Sequence, residues 1–546
     1  MSIKGRVYRR RFLTYVGSAG ATGIAGCQTS KPPQTASQPT PQRTSSPTAP
    51  SPARTPTTVE TDGETPTSSP TPEPGTVDVT VAVPENTPDH DTVYFDVINE
   101  KGGIHESIEL EEVEPNRWHR TIYFPQYLDQ EIWYRYGRGS PQPNGGTWDY
   151  TGAEEFVPDA KTGHRTLAVT NELITLTDTV EKWRWLPAPG EEISQSIPTS
   201  APNTPFVPRL DGHTFQTGVT FADFWWGNFD PLLASTHERL SDHKFGWIEV
   251  APPFNYDQVN PTPVLNLAGY SEEDMEFHLD KIRNDGFQLV LAPQICCTDP
   301  SSGSFADAWW DHWYREYEDF VMYFARLAEK YEAEVLIFDS RPMAQAGIDT
   351  QSDFYDRVGT ILAKAKAEFS GLFGTKFIWG GMYDDSLGVL PDRHKLPFLD
   401  FLDVAAVSVW VGVAKDGQPS QRLMNENART GFDRYLKPFQ EALDVPIILL
   451  QIAYPSVDGG ATGSVGVFEP EIQLWEPYSD KYALDLDEQA MAHEAILHTV
   501  ANTDYVIGTY PFAYWPDSFP LSKEFNVRGK PAEAVYQAWY EAASNG

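Results

Sequence analysis

The chain has 546 residues, and 41 Lys plus Arg stand against 77 Asp plus Glu, a formal net charge of −36. So large an acidic excess argues against nucleic acid or an anionic membrane surface as an electrostatic partner. Three Cys are too few for a multi-bridge scaffold or a four-Cys zinc site, while 40% apolar residues suffice for a sizeable core.

Residues 1–26 are predicted to be an export signal. Arg9-Arg10-Arg11-Phe12-Leu13 opens a small-residue apolar stretch that runs to Gly26 and is too short to span a bilayer as a helix. The Arg pair before Phe-Leu resembles a twin-arginine signal. Ile24-Ala25-Gly26-Cys27 resembles a lipobox, in which the Cys is lipidated and becomes the new N-terminus. These resemblances imply export in the folded state to the extracellular face of the cell membrane, with the lipid on Cys27 as the sole membrane contact. Removing residues 1–26 takes away Lys4, Arg6, Arg9, Arg10 and Arg11 and no acid. Such a surface stays hydrated in high salt, where its self-repulsion is screened, which points to a halophilic source.

Residues 28–75 predict a disordered stalk. Of these 48 residues, 31 are Pro, Thr or Ser, none is aromatic and Val59 is the one large aliphatic, so there is too little apolar surface to offset ordering entropy.

Residues 76–187 read as an antiparallel β-sandwich, immunoglobulin-like in its short, punctuated strands. Thr76 to Val83 alternates at the period of a half-buried strand. Thr92–Val97, Arg117–Phe124 and Glu131–Tyr136 are further strand-like runs. The order Trp118, Tyr134-Arg135-Tyr136, Trp148-Asp149, Arg165-Thr166-Leu167 and Asp178-Thr179-Val180 with Trp183 resembles the family 20 starch-binding module. That resemblance implies sugar stacking on exposed Trp, with Trp148 as the candidate; Trp118 and Trp183 read as core. Residues 188–211 are left as a linker.

Residues 212–546 predict an α/β fold, a (β/α)8 TIM barrel. Strands are expected at Thr217–Phe221, Gly246–Ala251, Gln288–Pro293, Glu334–Asp339, Lys376–Trp379, Val404–Trp410, Pro446–Gln451 and Tyr505–Tyr510. Helices are expected at Ser271–Asn284, Trp309–Tyr331, Ser352–Phe369, Arg429–Leu443 and Asp487–Val500. In this fold the chemistry gathers at the carboxyl ends of the strands. Those ends carry Trp225, Cys296-Cys297, Trp379 with Asp384-Asp385, Trp410, Gln451 with Tyr454 and Asp458, and Trp515 with Asp517. Stacking faces and carboxylates are what a cleft for a polysaccharide or oligosaccharide needs. The candidate substrate-binding residues are therefore Gln451, Tyr454, Trp225, Trp379, Trp410, Trp515 and Trp148. Trp309, Trp310 and Trp313 sit on a predicted helix and read as core, and Glu249 reads as a buried structural acid.

Tyr454-Pro455 and the closing Asn526-Val527-Arg528-Gly529-Lys530-Pro531-Ala532, with Trp539-Tyr540 ending the last helix, resemble glycoside hydrolase family 113, the β-mannanase type. The resemblance implies a retaining pair of Glu after strands four and seven, about 5–5.5 Å apart. This sequence departs at both places. Strand four ends in Asp339 without a Glu, and strand seven presents Gln451, whose amide cannot form a glycosyl ester. Three readings stay open. The barrel binds sugar without catalysis; or catalysis has moved to Asp339 as acid with Asp384, Asp385, Asp458 or Asp517 as its partner; or Glu469 or Glu476 in the following loop does the work. No His spacing suits a metal and no Gly-rich phosphate loop is present, so no cofactor and no metal are expected.

Overall fold

The computed structural model describes residues 73–98, 104–139, 164–194, 199–222, 230–259, 261–267, 271–296, 305–339, 351–380, 397–414, 420–465, 469, 472, 481–516 and 518–545. The predicted signal, Cys27 and nearly all of the stalk lie outside the described residues. Among those described, no helix is long and apolar enough to cross a membrane.

The N-terminal part forms two four-stranded sheets. β1 (Thr76–Ala82), β4 (Glu111–Glu114), β5 (Arg117–Tyr123) and β8 (Ile174–Thr179) are ordered β4-β5-β1-β8. β2 (Thr92–Ile98), β3 (Ile104–Glu109), β6 (Glu131–Gly139) and β7 (Arg165–Ala168) are ordered β3-β2-β6-β7. The alternation read in Thr76–Val83 is realised: Val77, Val79 and Val81 are fully buried and share one core with Val93, Phe95, Tyr134 and Tyr136 of the other sheet. Phe95 stacks on Tyr134 at 4.7 Å. Trp183 belongs to this core, its indole N–H donating to Thr87 Oγ1 at 2.8 Å, and Trp118 packs partly buried against it. β1 runs antiparallel to β5 and parallel to β8, so this sheet is mixed.

The C-terminal part is a closed barrel of eight parallel strands. In chain order these are β9 (Gln216–Phe221), β10 (Trp247–Val250), β13 (Gln288–Leu291), β15 (Val335–Asp339), β16 (Leu372–Gly380), β17 (Val404–Trp410), β18 (Ile447–Ile452) and β19 (Val506–Pro511). All eight expected strands are present, with ends moved by a few residues. Their period-2 alternation separates two cores. Trp247, Val290, Ile337, Ala406, Leu450 and Tyr510 fill the interior. Ile248, Leu289, Leu336, Val407 and Leu449 face the helices.

The helices are α1 (Asp230–Asp242), α2 (Glu272–Asn284), α3 (Asp307–Lys330), α4 (Phe354–Glu368), α5 (Gln421–Gly431), α6 (Lys437–Leu443), α7 (Leu486–Ala501) and α8 (Pro531–Ser544). α2 starts where Ser271 and Asp274 cap each other reciprocally. The helix predicted over Arg429–Leu443 begins earlier and passes through a π-turn at Phe432–Leu436 before α6. Pro438, at the start of α6, lacks the N–H a regular turn would use. Trp309, Trp310 and Trp313 are buried on α3, as read from sequence.

Two features go beyond the sequence reading. β11 (Pro253–Gln258), β12 (Val264–Leu267) and β14 (Gln294–Cys296) form a small sheet in the connections that follow β10 and β13. α3 holds it, with Trp309 Nε1 donating to the Val259 carbonyl at 2.7 Å and Trp313 Nε1 to Tyr256 Oη at 2.8 Å. The end of the expected linker is also built into the barrel: Glu494 of α7 accepts from Ser200 N at 2.8 Å and from Thr199 Oγ1 at 2.8 Å.

Candidate functional site at the barrel mouth

The barrel floor is set by one aromatic side chain. Tyr510 of β19 lies inside the barrel and donates its hydroxyl to Gln216 Oε1 of the neighbouring strand β9 at 2.8 Å. Its ring lies against Gly218 so closely that a Cβ there would meet it at 2.0 Å. Glycine at 218 is thus a packing requirement of the floor.

Further along the strands the interior turns polar. Glu249 of β10 is two residues on from Trp247, hence on the inward side, and is fully buried. Thr220 of β9 donates its hydroxyl to Glu249 Oε2. Oε1 has no hydrogen-bond partner among the described residues. Lys376 of β16, 4% exposed, supplies the positive field. Burial pushes the Glu249 carboxyl up to about 7, against the opposing pull of the Thr220 hydroxyl and the Lys376 ammonium.

The rim between β17 and β18 is closely tied. Ser408 Oγ donates to Gln451 Oε1 at 2.9 Å, and Trp410 Nε1 to the Gln451 carbonyl at 3.2 Å. Gln451 has φ +52°, and the β18–β19 register slips between Leu449 and Ile452. This is the geometry of a bulge, which re-aims a side chain at a strand end. Tyr454 Oη then donates to the Val411 carbonyl at 2.9 Å, joining the two loops that leave these strands.

The loop after β19 is tied to the loop after β18 by a buried network. Glu524 accepts from Trp515 Nε1 at 3.2 Å and Ser522 Oγ at 3.0 Å. Lys530 Nζ donates to Ser456 Oγ at 2.8 Å and to the Glu524 carbonyl at 2.9 Å. Burial pushes the Lys530 ammonium down, opposed by the Glu524 carboxylate. Lys530 of the Gly529-Lys530-Pro531-Ala532 step therefore braces the mouth.

The candidate residues separate as follows. Asp339 is the last residue of β15, its backbone in register with Lys376. Gln451, itself 4% exposed, and half-buried Trp410 meet at the β17–β18 rim. Asp458 lies exposed in the loop after β18. Trp225, Asp384, Asp385, Asp517, Trp148, Glu476 and Cys297 lie outside the described residues. Three expected sugar-facing rings are buried. Trp379 is 2% exposed and points outward, edge-on to Phe432 at 5.5 Å. Trp515 is 4% exposed and Tyr454 1%. The reason is parity and loop bracing: Trp379 falls on the helix-facing side of β16, and the other two are fixed by their hydrogen bonds. Glu469 pairs with Lys481 at 2.7 Å.

Asp458, Asp485 and Glu488 bring carboxylate oxygens within 4.8 Å of one another, a spacing that could hold a cation. The backbone already engages two of the three. Glu488 accepts from Gly459 N and Ala461 N at 2.9 Å each, and Asp485 caps α7 through Glu488 N at 2.8 Å.

Lys376 was not legible as a site residue. Its one signal is a charge inside the otherwise uncharged run Phe373 to Trp379. Glu249 was legible as buried, but its proximity to Lys376 on a strand far along the chain was not.

The profile of Glycoside Hydrolase Family 113 matches residues 233–530, just over half of the chain. Among solved structures, a family 113 β-1,4-mannanase complex aligns at 20% identity and TM-score 0.45, over 60% of this chain and 99% of that one. The family 113 β-mannanase of Alicyclobacillus acidocaldarius aligns at 16% identity and TM-score 0.46, over 60% and 98%. A family 1 β-glucosidase of Thermotoga maritima aligns at 8% identity and TM-score 0.38, over 62% and 99%. No curated protein sequence matches significantly.

Proposed function

Because the chain belongs to Glycoside Hydrolase Family 113, we propose that its barrel is a divergent glycoside hydrolase acting on a polysaccharide or oligosaccharide bound across the barrel mouth. The family match over a closed eight-stranded parallel barrel carries this reading. Asp339, at the end of β15, is the proton donor to the glycosidic oxygen. Asp384 or Asp458 activates the attacking water. An inverting pair of this kind requires its two carboxyls about 6.5–9.5 Å apart, with the attacking water between. Half-buried Trp410, joined to the buried Gln451 at the β17–β18 rim, contacts the sugar.

A second reading is favoured by Gln451 itself. An amide held by Ser408 at the end of β18 offers hydrogen bonds to sugar hydroxyls and no nucleophile. On this reading the barrel is a polysaccharide-binding envelope protein without turnover.

The N-terminal sheets support an immunoglobulin-like, starch-binding-like module, with Trp148 as its stacking residue. Residues 1–26 act as a twin-arginine lipoprotein signal and residues 28–75 as a stalk. The mature protein is held by the Cys27 lipid on the extracellular face of the membrane of a halophile, and nucleic acid is no partner of so acidic a surface.

The test is incubation of mature protein in molar salt with β-mannans, β-glucans and α-glucans, scoring new reducing ends. The hydrolase reading expects release that falls at least a hundredfold in Asp339→Asn, the lower end of what a general acid contributes. Binding without release from any of them favours the second reading.

A further inference from the structure

The chain that leaves the carboxyl end of β19 is gripped from two sides. On the barrel side, Ser456 N donates to the Lys523 carbonyl and Ser456 Oγ to the Glu524 carbonyl, at 3.0 Å each. Arg528 Nη1 donates to the Trp515 carbonyl at 2.9 Å. On the other side stand the N-terminal sheets. Arg138, near the end of β6, is buried and pairs with buried Asp91, the residue before β2. Its second arm, Nη2, donates to the Ser518 carbonyl at 3.0 Å. Leu521 N donates to the Trp185 carbonyl at 3.0 Å. Trp185 holds φ +66°, a conformation that a bulky residue keeps only where its surroundings impose it. Well-packed apolar side chains would close such a contact as stably as a buried ion pair. What the guanidinium adds is direction, because its rigid fork fixes the Ser518 carbonyl relative to Asp91. Residues 518–521 thus meet the N-terminal sheets, while residues 523–524 meet Ser456, two positions before Asp458.

We propose that Arg138 is a positioning residue of the barrel mouth: through Ser518 it fixes the loop after β19, and through that loop the segment Ser456–Asp458, so that the N-terminal sheets set the shape of the sugar site from outside it. The path is a continuous series of hydrogen bonds and short stretches of backbone, Asp91 to Arg138 to Ser518, then along the chain to Lys523 and Glu524 and across to Ser456. Without its middle link the loop keeps its hold on the barrel and loses its hold on the sheets. This role rests on the reading of the mouth as the place where sugar binds.

The experiment compares wild type, Arg138→Met and the double variant Arg138→Met with Asp91→Leu, at one temperature below the melting of all three. The double variant replaces the ion pair by an apolar contact, so stability returns toward wild type while the Ser518 carbonyl stays unanchored. Amide hydrogen exchange reads residues 512–525 and 453–461 without any ligand. Titration with mannohexaose and maltohexaose reads the site, as kcat/KM where there is turnover and as affinity where there is binding alone. Exchange in both segments is expected to quicken at least about fivefold in both variants, as local opening becomes easier. The response to sugar is expected to fall about tenfold in both, within what a small misplacement far from the chemistry costs. A merely structural role predicts that exchange and sugar response recover in the double variant together with the melting temperature, and that recovery overturns the proposal. Should Arg138→Met alone fail to fold, the double variant decides: wild-type exchange or wild-type sugar response in it overturns the proposal. Wild type that neither cleaves nor binds either sugar overturns the reading of the mouth, and the role with it. Wild type that responds, beside variants that respond equally, overturns the role alone.

Discussion

Ser408 donates its hydroxyl to Oε1 of Gln451 at 2.9 Å, across the β17–β18 boundary. The donor would serve a carboxylate as well as an amide, and Glu differs from Gln by one atom. Gln451→Glu is therefore expected to fold, with its new carboxyl raised by burial at 4% exposure. Combined with Asp339→Glu, it recreates the pair of Glu that the family resemblance implies, and hydrolysis of β-mannan is expected to rise at least tenfold over wild type. The measurement is release of reducing ends with product stereochemistry read by NMR. No gain in the double variant would mean that β15 and β18 do not present these ends to a common sugar.

Gly218 and Tyr510 form a second dependent pair. A methyl at 218 would meet the Tyr510 ring at 2.0 Å, and neither strand can retreat inside a closed barrel. Gly218→Ala is expected to destabilise by about 3 kcal/mol or more, since overpacking a rigid core forces side chains off rotamer. Tyr510→Leu alone leaves a cavity and frees Gln216 Oε1. In the double variant the methyl occupies part of that cavity, so the two costs should fall short of additive by over about 1 kcal/mol. Denaturant midpoints of the four proteins decide this, and simple additivity would refute the clash.

How much of this was legible in the sequence follows from the range of the signals. The barrel strands were visible because runs such as Val404–Trp410 are apolar on both sides, as strands covered by helices and by each other must be. The α3 Trp trio was visible because its spacing follows a helical face. The rim was less so. Trp379 and Trp515 looked open to sugar because they end strands, but exposure there is decided by one-residue parity, which turns Trp379 onto Phe432 of the helix layer, and by loop bracing of Trp515 from Glu524. The electrostatic influence of Lys376 on Glu249 was invisible because β10 and β16 are not neighbouring strands, and no local pattern relates them.

Arg138 shows how the N-terminal sheets are fixed to the barrel. This fully buried guanidinium pairs with Asp91 and donates to the Ser518 carbonyl at 3.0 Å, and lies 5.8 Å from the Phe519 ring. Breaking a buried ion pair from one side strands the remaining charge, at a cost of about 3–5 kcal/mol. Arg138→Met is therefore expected to lower the melting temperature of the N-terminal sheets and to split their unfolding from that of the barrel in calorimetry. Asp91→Leu in the same chain removes the stranded charge and should recover part of the loss. Unchanged unfolding in Arg138→Met would show that the two parts are not coupled through this residue.

Two buried groups give the pH dependence of stability opposite signs. The Glu249 carboxyl is raised from 4.5 to about 7, so between these values the native state holds a proton that the unfolded chain has released. Its contribution is present below pH 4.5 and is lost as pH rises through about 7, amounting to about 3 kcal/mol at 1.36 kcal/mol per pH unit. His493 is lowered by burial, with a smaller push from Lys530, from 6.5 to about 3. Its contribution is present above pH 6.5 and is lost as pH falls toward 3. By pH 5 that loss is about 2 kcal/mol. The two slopes oppose each other between about 4.5 and 6.5, so wild-type stability should be nearly flat there. Glu249→Gln should uncover a steady rise from pH 4.5 to 6.5. His493→Phe should uncover a fall from pH 5 to about 7, on top of a constant loss from the Tyr536 hydroxyl that now bonds His493 Nδ1 at 3.0 Å. Urea midpoints at pH 5, 6, 7 and 8 separate the cases. If Glu249→Gln runs parallel to wild type across that range, Glu249 does not carry its proton into the neutral range in the folded protein.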